Sequence, residues 1–88
     1  MTSTPRLVRI YTTAYCGFCH RAKHILASEN VAFEEVAVDG DNEKRKWLRE
    51  KSGQRTVPQI FFGDESIGGC SELEVLVARK TLQQKLQG

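Results

Sequence analysis

The order of apolar and polar residues along the first half of the chain predicts two strands with a helix between them. The segment Leu7–Tyr11 is rich in β-branched and bulky residues and predicts a first strand. Beyond Cys16 the apolar residues recur at helical spacing, which predicts an amphipathic helix that ends near Asn30. The segment Ala32–Val38 is rich in β formers and predicts a second strand, followed by a turn with N-cap candidates.

The pattern beyond this turn predicts a second helix. Helical spacing over Glu43–Ser52 leaves Trp47 and Leu48 on the inner side and a basic outer face. Gly53 follows, and glycine is the usual left-handed residue beyond a helix end. The sequence therefore predicts a helix that ends at this glycine.

The last third of the chain predicts a hairpin and a final helix. Two short β-forming segments, Ile60–Phe62 and Glu65–Ile67, are separated by a Gly-Asp turn. Ser71 and Glu74 have the spacing of a capping box, which predicts the start of the last helix. The segment 81–88 is compatible with either a helix or a frayed tail.

The resulting order β, α, β, α, β, β, α predicts an α/β fold. In this fold, a four-stranded mixed sheet is flanked by three helices. The first βαβ unit requires its two strands to be parallel. A chain of 88 residues amounts to one domain, so we expect a single domain over residues 1–88.

Composition and charge exclude several classes of protein. The chain is 40% hydrophobic and 27% charged, as ordinary folded proteins are, and no apolar run has membrane-spanning length. Its net charge of +2 is small and its basic residues are mixed with acidic ones, so we expect neither nucleic acid nor a membrane as partner. The segment up to Thr13 lacks the apolar core of a secretory signal. We therefore expect a cytoplasmic protein.

The cysteines indicate redox chemistry. Three is an odd number, which suits an intracellular protein that uses its thiols better than a secreted disulfide scaffold. Cys16-Gly17-Phe18-Cys19 is a C-x-x-C motif between a strand and a helix, the context in which this motif indicates redox activity. Near the N-cap, Cys16 would face free backbone N–H groups and the positive end of the helix dipole, which favour a thiolate. Cys19 lies on the same helical face and could close a disulfide with Cys16.

Several features also have plainer interpretations. The helix start carries a group of basic side chains, His20, Arg21, Lys23 and His24. These side chains either attract thiolates and carboxylates or form an ordinary solvated surface. C-x-x-C also begins many zinc sites, but no second ligand pair with zinc spacing follows it. Cys70 is either a small buried filler or an accessory thiol.

Pro58 also has two interpretations. It could simply open a strand, where its missing N–H does no harm. Alternatively, a cis bond between Val57 and Pro58 would face Cys16 and turn the Val57 backbone outward. The N–H and C=O of Val57 could then pair with an extended thiol peptide. The sequence leaves the isomer open.

Three segments, in this order and spacing, together resemble the glutaredoxin family. They are Cys16-Gly17-Phe18-Cys19, Gln54-Arg55-Thr56-Val57-Pro58 and Gly68-Gly69-Cys70-Ser71-Glu72-Leu73. The match spans nearly the whole chain. The resemblance implies a thioredoxin-like fold and a glutathione-dependent thiol-disulfide oxidoreductase, with glutathionylated or disulfide-bonded client proteins as substrates. It also implies two catalytic residues, with Cys16 attacking and Cys19 resolving.

The same resemblance implies a set of glutathione contacts. Gln54 would hold the glycine carboxylate and Val57 the cysteinyl backbone. The γ-glutamyl end would lie against Cys70, Ser71 and Glu72, where the start of the last helix offers backbone N–H groups. The complete implied set is Thr13, Phe18, Gln54, Thr56, Val57, Pro58, Cys70, Ser71 and Glu72.

The chain departs from the commonest dithiol form of the family. Gly17-Phe18 stands where Pro-Tyr is usual, and this pair is found in the monothiol branch. Thr13 replaces a usual lysine, and Glu72 replaces a usual aspartate. Glycine frees a turn that proline would stiffen, and monothiol relatives with Gly-Phe hold a [2Fe-2S] cluster between two subunits.

Three functions therefore compete. The first is the glutathione-dependent enzyme. The second is [2Fe-2S] carriage by a glutathione-bridged dimer, in which Cys16 is the metal ligand of each subunit. The third is a redoxin reduced by a flavoenzyme, which Gln54 and the Gly68–Cys70 segment disfavour because both resemble glutathione contacts. We expect the apo protein to be a monomer, with dimerisation only through a cluster.

Overall fold

The structure, a computed structural model, describes residues 6–54 and 56–87. Its elements are β1 (Val8–Thr12), α1 (Gly17–Ser28), β2 (Glu34–Ala37), α2 (Asn42–Ser52), β3 (Gln59–Phe62), β4 (Glu65–Gly68), α3 (Cys70–Ala78) and α4 (Leu82–Leu86). The strands form one sheet in the order β2-β1-β3-β4. β1 runs parallel to β2 and antiparallel to β3, which is antiparallel to β4. The predicted α/β fold with a four-stranded mixed sheet is confirmed.

The two central strands are buried on both faces of the sheet, except at Arg9 of β1. Because side chains alternate along a strand, Ile10 and Phe62 belong to one apolar cluster, whereas Tyr11 and Phe61 belong to another. The first cluster contains residues of α1, α3 and α4, and the second contains Leu48 of α2. Three helices therefore pack on one face of the sheet and α2 packs on the other.

The caps of α2 are those expected from the sequence. The Asp41 carboxylate accepts the Lys44 backbone N–H at 3.0 Å, and Gly53 ends the helix with a φ of 74°. Leu48 is buried as predicted. Trp47 is 40% exposed, so its predicted inward position is only partly right. Its ring covers the aromatic side of the sheet without being enclosed by it.

The predicted capping box of the last helix is wrong. α3 begins at Cys70, with Gly69 as its N-cap, so the third helical residue is Glu72. The Glu72 carboxylate accepts the Gly69 backbone N–H at 3.2 Å. Ser71 and Glu74 have the right spacing but lie two residues too far into the helix. Glu74 is used in other contacts, described below.

The segment that the sequence left open contains a short fourth helix. Leu82 and Leu86 of α4 are buried, and the Leu86 carbonyl accepts the Arg6 backbone N–H at 2.9 Å. Gly88 lies outside the described residues. The fourth helix adds to the three that were predicted. Within residues 6–54 and 56–87, no helix has the length and apolar character needed to cross a membrane.

Candidate active site

Cys16 occupies the N-cap of α1, between the end of β1 and the first helical turn. Its backbone is extended, and its Sγ accepts the Cys19 backbone N–H at 3.2 Å. A sulfur thus makes the hydrogen bond that an oxygen makes in most N-caps. The first turn of α1 carries no acidic residue. The N–H donor and the positive end of the helix both stabilise negative charge on this sulfur.

The Val57–Pro58 segment faces this thiol. The peptide bond between these residues is cis. Pro58 is buried and Val57 is half-buried. The Cys16 thiol donates to the Val57 carbonyl, with 3.7 Å between Sγ and the oxygen. The backbone at Val57 therefore offers polar groups next to the Cys16 sulfur.

A cleft of about 250 Å³ borders the same segment. Eight of the nine predicted glutathione contacts line it together with Gly69. The lining residues are Phe18, Gln54, Thr56, Val57, Pro58, Gly69, Cys70, Ser71 and Glu72. Phe18 is 65% exposed, and its ring offers apolar surface at the mouth of the cleft. Arg55, part of the motif quoted above, lies outside the described residues.

Thr13 is the predicted contact that does not line this cleft. It lines a separate depression with His20, Lys23 and Glu35. Its backbone instead acts to lower the pKa of the Cys19 thiol, against the larger effect of burial. Thr13 is therefore near Cys19, the second cysteine of the motif.

Cys19 is a buried thiol. Its side chain is 1% exposed. Burial is the main cause that raises its pKa to about 12, and a hydrogen bond to Cys16 is the second. Burial therefore favours the protonated form of Cys19. Its ability to attack a disulfide is limited accordingly.

Cys70 is a third kind of thiol, in the wall of the cleft. It is buried, as the filler interpretation expects, and its Sγ donates to Glu74 Oε1 at 3.3 Å. Burial first, and the Glu74 carboxylate second, raise the pKa of Cys70. Glu74 is itself held by Arg21, with 3.1 Å between Nε and Oε1. The arrangement keeps Cys70 protonated.

Two of the basic side chains near the motif are used in ion pairs within the fold. Arg21 pairs with Glu74 of α3, and Lys23 pairs with Glu35 of β2 at 3.0 Å. Both pairs join α1 to a neighbouring element. These contacts favour the plainer interpretation of Arg21 and Lys23. His20 and His24 are exposed.

Two residues at the cleft were not among the predicted contacts, although Gly69 belongs to one of the three motifs. Gly69 comes so close to the cis proline that an added Cβ would lie 3.1 Å from the Pro58 carbonyl oxygen. Gln59 is 1% exposed and donates hydrogen bonds to the backbone of the cleft-lining segment. The signal for Gln59 was a lone polar residue opening an apolar strand.

In residues 6–54 and 56–87, no group of three or more His, Cys, Asp or Glu side chains is arranged to hold a metal ion.

The family model and the similar sequences indicate the same protein family. The family model described as Glutaredoxin matches residues 8–67. Glutaredoxin 3 of Escherichia coli is 46% identical over 80 residues, which cover 91% of this chain and 96% of that protein. A glutaredoxin of Pseudomonas aeruginosa is 49% identical over 69 residues, covering 78% of this chain and 82% of that protein.

Solved structures resemble the whole described fold. The solution structure of glutaredoxin from Brucella melitensis has a TM-score of 0.86 and 36% identity, and the match covers 99% of this chain and 95% of that one. The crystal structure of a buckwheat glutaredoxin-glutathione complex has a TM-score of 0.83 and 26% identity, and the match covers 92% of this chain and 76% of that one. The sequence and the fold thus lead to the same group of proteins.

Proposed function

The chain belongs to the glutaredoxin family, has a thioredoxin-like fold and is a thiol-disulfide oxidoreductase, and from this premise we propose that it reduces protein-glutathione mixed disulfides through Cys16. The observation that best supports this proposal is the location of the Cys16 sulfur. It accepts an N–H at the N-cap of α1 and contacts the Val57 backbone beside the cleft. A nucleophilic sulfur beside a cleft that can bind glutathione is suited to attack a bound disulfide.

In the first step, the Cys16 thiolate attacks the glutathione sulfur of the mixed disulfide. The bond between that sulfur and the client cysteine breaks, and the client leaves as a thiolate that takes up a proton. A disulfide between Cys16 and glutathione forms in its place. The helix N-terminus favours the reacting form of Cys16 before the step and after its regeneration.

In the second step, a thiolate of free glutathione attacks the glutathionyl sulfur. Glutathione disulfide leaves, and Cys16 is restored as a thiolate. Cys19 could perform this displacement instead by attacking Cys16, which would release reduced glutathione and leave a Cys16–Cys19 disulfide. Once Cys16 is bonded, its hydrogen bond no longer raises the pKa of Cys19, but burial still does. We therefore propose that free glutathione is the main resolving thiol for mixed disulfides.

The cleft supports glutathione as the bound partner. Val57 offers a strand-like backbone beside Cys16, as a cysteinyl residue would need. At the other end, the first turn of α3 offers backbone N–H groups next to Ser71 and Glu72. The buckwheat relative forms a complex with glutathione. We propose that the eight predicted contacts in the cleft bind glutathione and that Thr13 acts only through Cys19.

The test is glutathione-dependent turnover of a glutathionylated peptide by the parent protein, Cys16→Ser and Cys19→Ser. We expect Cys16→Ser to lose turnover, because a serine hydroxyl is not ionised at neutral pH. We expect Cys19→Ser to keep the turnover of the parent within about threefold, since burial keeps this thiol out of the reaction.

Turnover by Cys16→Ser would disprove the assignment of the nucleophile. Loss of turnover in Cys19→Ser alone would make the second cysteine the resolving thiol. If the parent protein also lacked turnover, [2Fe-2S] carriage through Cys16 or a reductant other than glutathione would become the better proposal.

A further inference from the structure

A buried glutamine holds the segment that leads into the cleft. Gln59 opens β3, and its backbone pairs with Tyr11 of β1. Its carboxamide Nε2 donates to the carbonyl oxygen of Gln54 at 3.0 Å and to that of Thr56 at 2.9 Å. A primary amide has two N–H donors, so both are spent on this one segment.

The two carbonyl groups belong to residues that line the cleft. Gln54 is also held from its other side, because its backbone N–H donates to the Ser52 hydroxyl at 3.0 Å. Gln54, Thr56 and Val57 all border the cleft. Fixing a carbonyl fixes the plane of its peptide group, and with it the direction of the N–H that follows. The Thr56 carbonyl shares its peptide group with the Val57 N–H.

The side chain of Gln59 is costly to bury. Within the described part of the chain, its Oε1 is buried without a hydrogen-bond partner. An unpaired buried acceptor opposes folding, and an apolar side chain would avoid this cost. The rest of β3 is Ile60, Phe61 and Phe62, all buried. The two donated hydrogen bonds are thus the contribution that distinguishes glutamine from an apolar residue at this position.

We propose that Gln59 is a positioning residue for the bound thiol peptide: it fixes the backbone of Gln54, Thr56 and Val57 and does not touch glutathione itself. The inference rests on the proposed function. It separates binding from chemistry, because Gln59 holds the peptide group between Thr56 and Val57, whereas the Val57 carbonyl that accepts from Cys16 belongs to the next peptide group. Substitution should therefore weaken the use of glutathione and leave the intrinsic reactivity of the Cys16 sulfur unchanged.

The test compares Gln59→Met with the parent protein. Methionine has a similar length and fills the space without donating hydrogen bonds. We expect the KM for glutathione to rise roughly tenfold, because the backbone that binds glutathione is no longer fixed in advance and must be ordered on binding. The kcat/KM for a glutathionylated peptide should fall by a similar factor. The rate of Cys16 alkylation by iodoacetamide, which needs no cleft, should not change.

Two further variants make the test decisive. Gln59→Asn keeps the amide but shortens its reach, so a smaller rise in KM is expected, and it replaces Gln59→Met if that variant does not fold. Thr12→Val removes an equally buried polar group from the neighbouring strand, where its hydroxyl donates to Glu35 at 2.6 Å. It should leave the KM for glutathione unchanged.

Four results would overturn the inference. The first is an unchanged KM for glutathione in folded Gln59→Met or Gln59→Asn. The second is a fall in Cys16 alkylation that matches the loss of turnover. The third is an equal rise in KM for Thr12→Val. The fourth, no glutathione-dependent turnover by the parent protein, would overturn the proposed function together with this inference, whereas the first three leave the proposed function intact.

Discussion

The three cysteines differ in what surrounds each sulfur. Cys16 accepts a backbone N–H at a helix N-terminus, Cys19 is buried beneath it, and Cys70 donates to a carboxylate. The pKa values of Cys19 and Cys70 are both raised, each mainly by burial. A thiolate is the reactive form of cysteine. The surroundings therefore direct the chemistry to Cys16, although all three thiols lie in one region.

Gly68 is the residue for which we expect the largest effect of adding one methyl group. Its φ is +113°, and a Cβ would lie 2.6 Å from Glu72 Oε1. Gly68→Ala should lower the free energy of unfolding by roughly 1–3 kcal/mol, the typical cost of such a backbone conformation. The displaced Glu72 would also lose its contact with the Gly69 N–H. Urea unfolding followed by circular dichroism measures the change.

Gly17→Ala is the matched control for Gly68→Ala. Nothing lies within 4 Å of its added methyl group, and Gly17 begins α1. Alanine in a helix is more stable than glycine by roughly 0.5–1 kcal/mol, so this variant should be neutral or slightly stabilised. Equal losses in the two variants would show that glycine content, not the conformation at Gly68, sets the stability.

At the scale of elements, α4 is short but joined to the core. Its two leucines are buried on the sheet face that also carries α1 and α3. We expect Leu82→Ala to lower the free energy of unfolding by about 2–5 kcal/mol, because a buried cavity replaces the side chain. Val75→Ala, on the 46% exposed residue of α3, should cost much less. Equal unfolding midpoints for the two variants would contradict a structural role for α4.

The sequence predicts the long periodic elements better than their ends. The period of α1 and the β-rich hairpin are local signals, and both were predicted correctly. The start of α3 was misplaced because Ser71 and Glu74 satisfy a capping-box spacing that the chain does not use. α4 was left open because a helix of five residues is not stable alone and depends on tertiary packing.

For the candidate site too, local motifs were predicted better than contacts between distant segments. Motif order brings eight predicted residues to one cleft, because strand ends and helix starts of this fold meet there. Thr13 lies three residues before Cys16 in the sequence but lines another depression. Gln59 was missed because a lone polar residue at the start of an apolar strand does not show which carbonyl groups its side chain will bind. Contacts between residues that only the folded backbone brings together cannot be predicted from the spacing of neighbouring residues in the sequence.

At the scale of the whole molecule, side-chain ion pairs join elements that are distant in sequence. Glu65 of β4 pairs with Arg6 at 2.8 Å and with Lys85 of α4 at 2.7 Å. Glu35 of β2 accepts from Thr12 of β1 and from Lys23 of α1. These contacts lie at opposite edges of the sheet. Both carboxylates have a lowered pKa, because donors surround each of them.

Glu35 should contribute to the acid sensitivity of the fold. The Thr12 hydroxyl first, and Lys23 second, lower its pKa from the ordinary value of 4.5. A lowered pKa in the folded state means that the stabilisation is complete above pH 4.5 and is lost as the pH falls through the folded value. Glu35→Gln should therefore show a smaller drop in urea midpoint between pH 7 and pH 3 than the parent.

The control for this pH dependence is Glu50→Gln, on the exposed surface of α2. It should keep the acid sensitivity of the parent. Parallel curves for Glu35→Gln and the parent would show that protonation of Glu35 has no part in acid unfolding. The effect should be modest, since this carboxylate is partly exposed to solvent.

The aromatic group on the α2 side of the sheet provides an optical signal. Trp47 is the chain's single tryptophan, and its ring centroid lies 5.7 Å from that of Tyr11 and 5.6 Å from that of Phe61. Unfolding separates these rings and hydrates the indole, so its fluorescence emission should shift to longer wavelength. The cleft is lined by other residues, so this emission reports on the packing of α2 against the sheet. Folding can thus be followed by tryptophan emission while thiol chemistry proceeds elsewhere in the same sample.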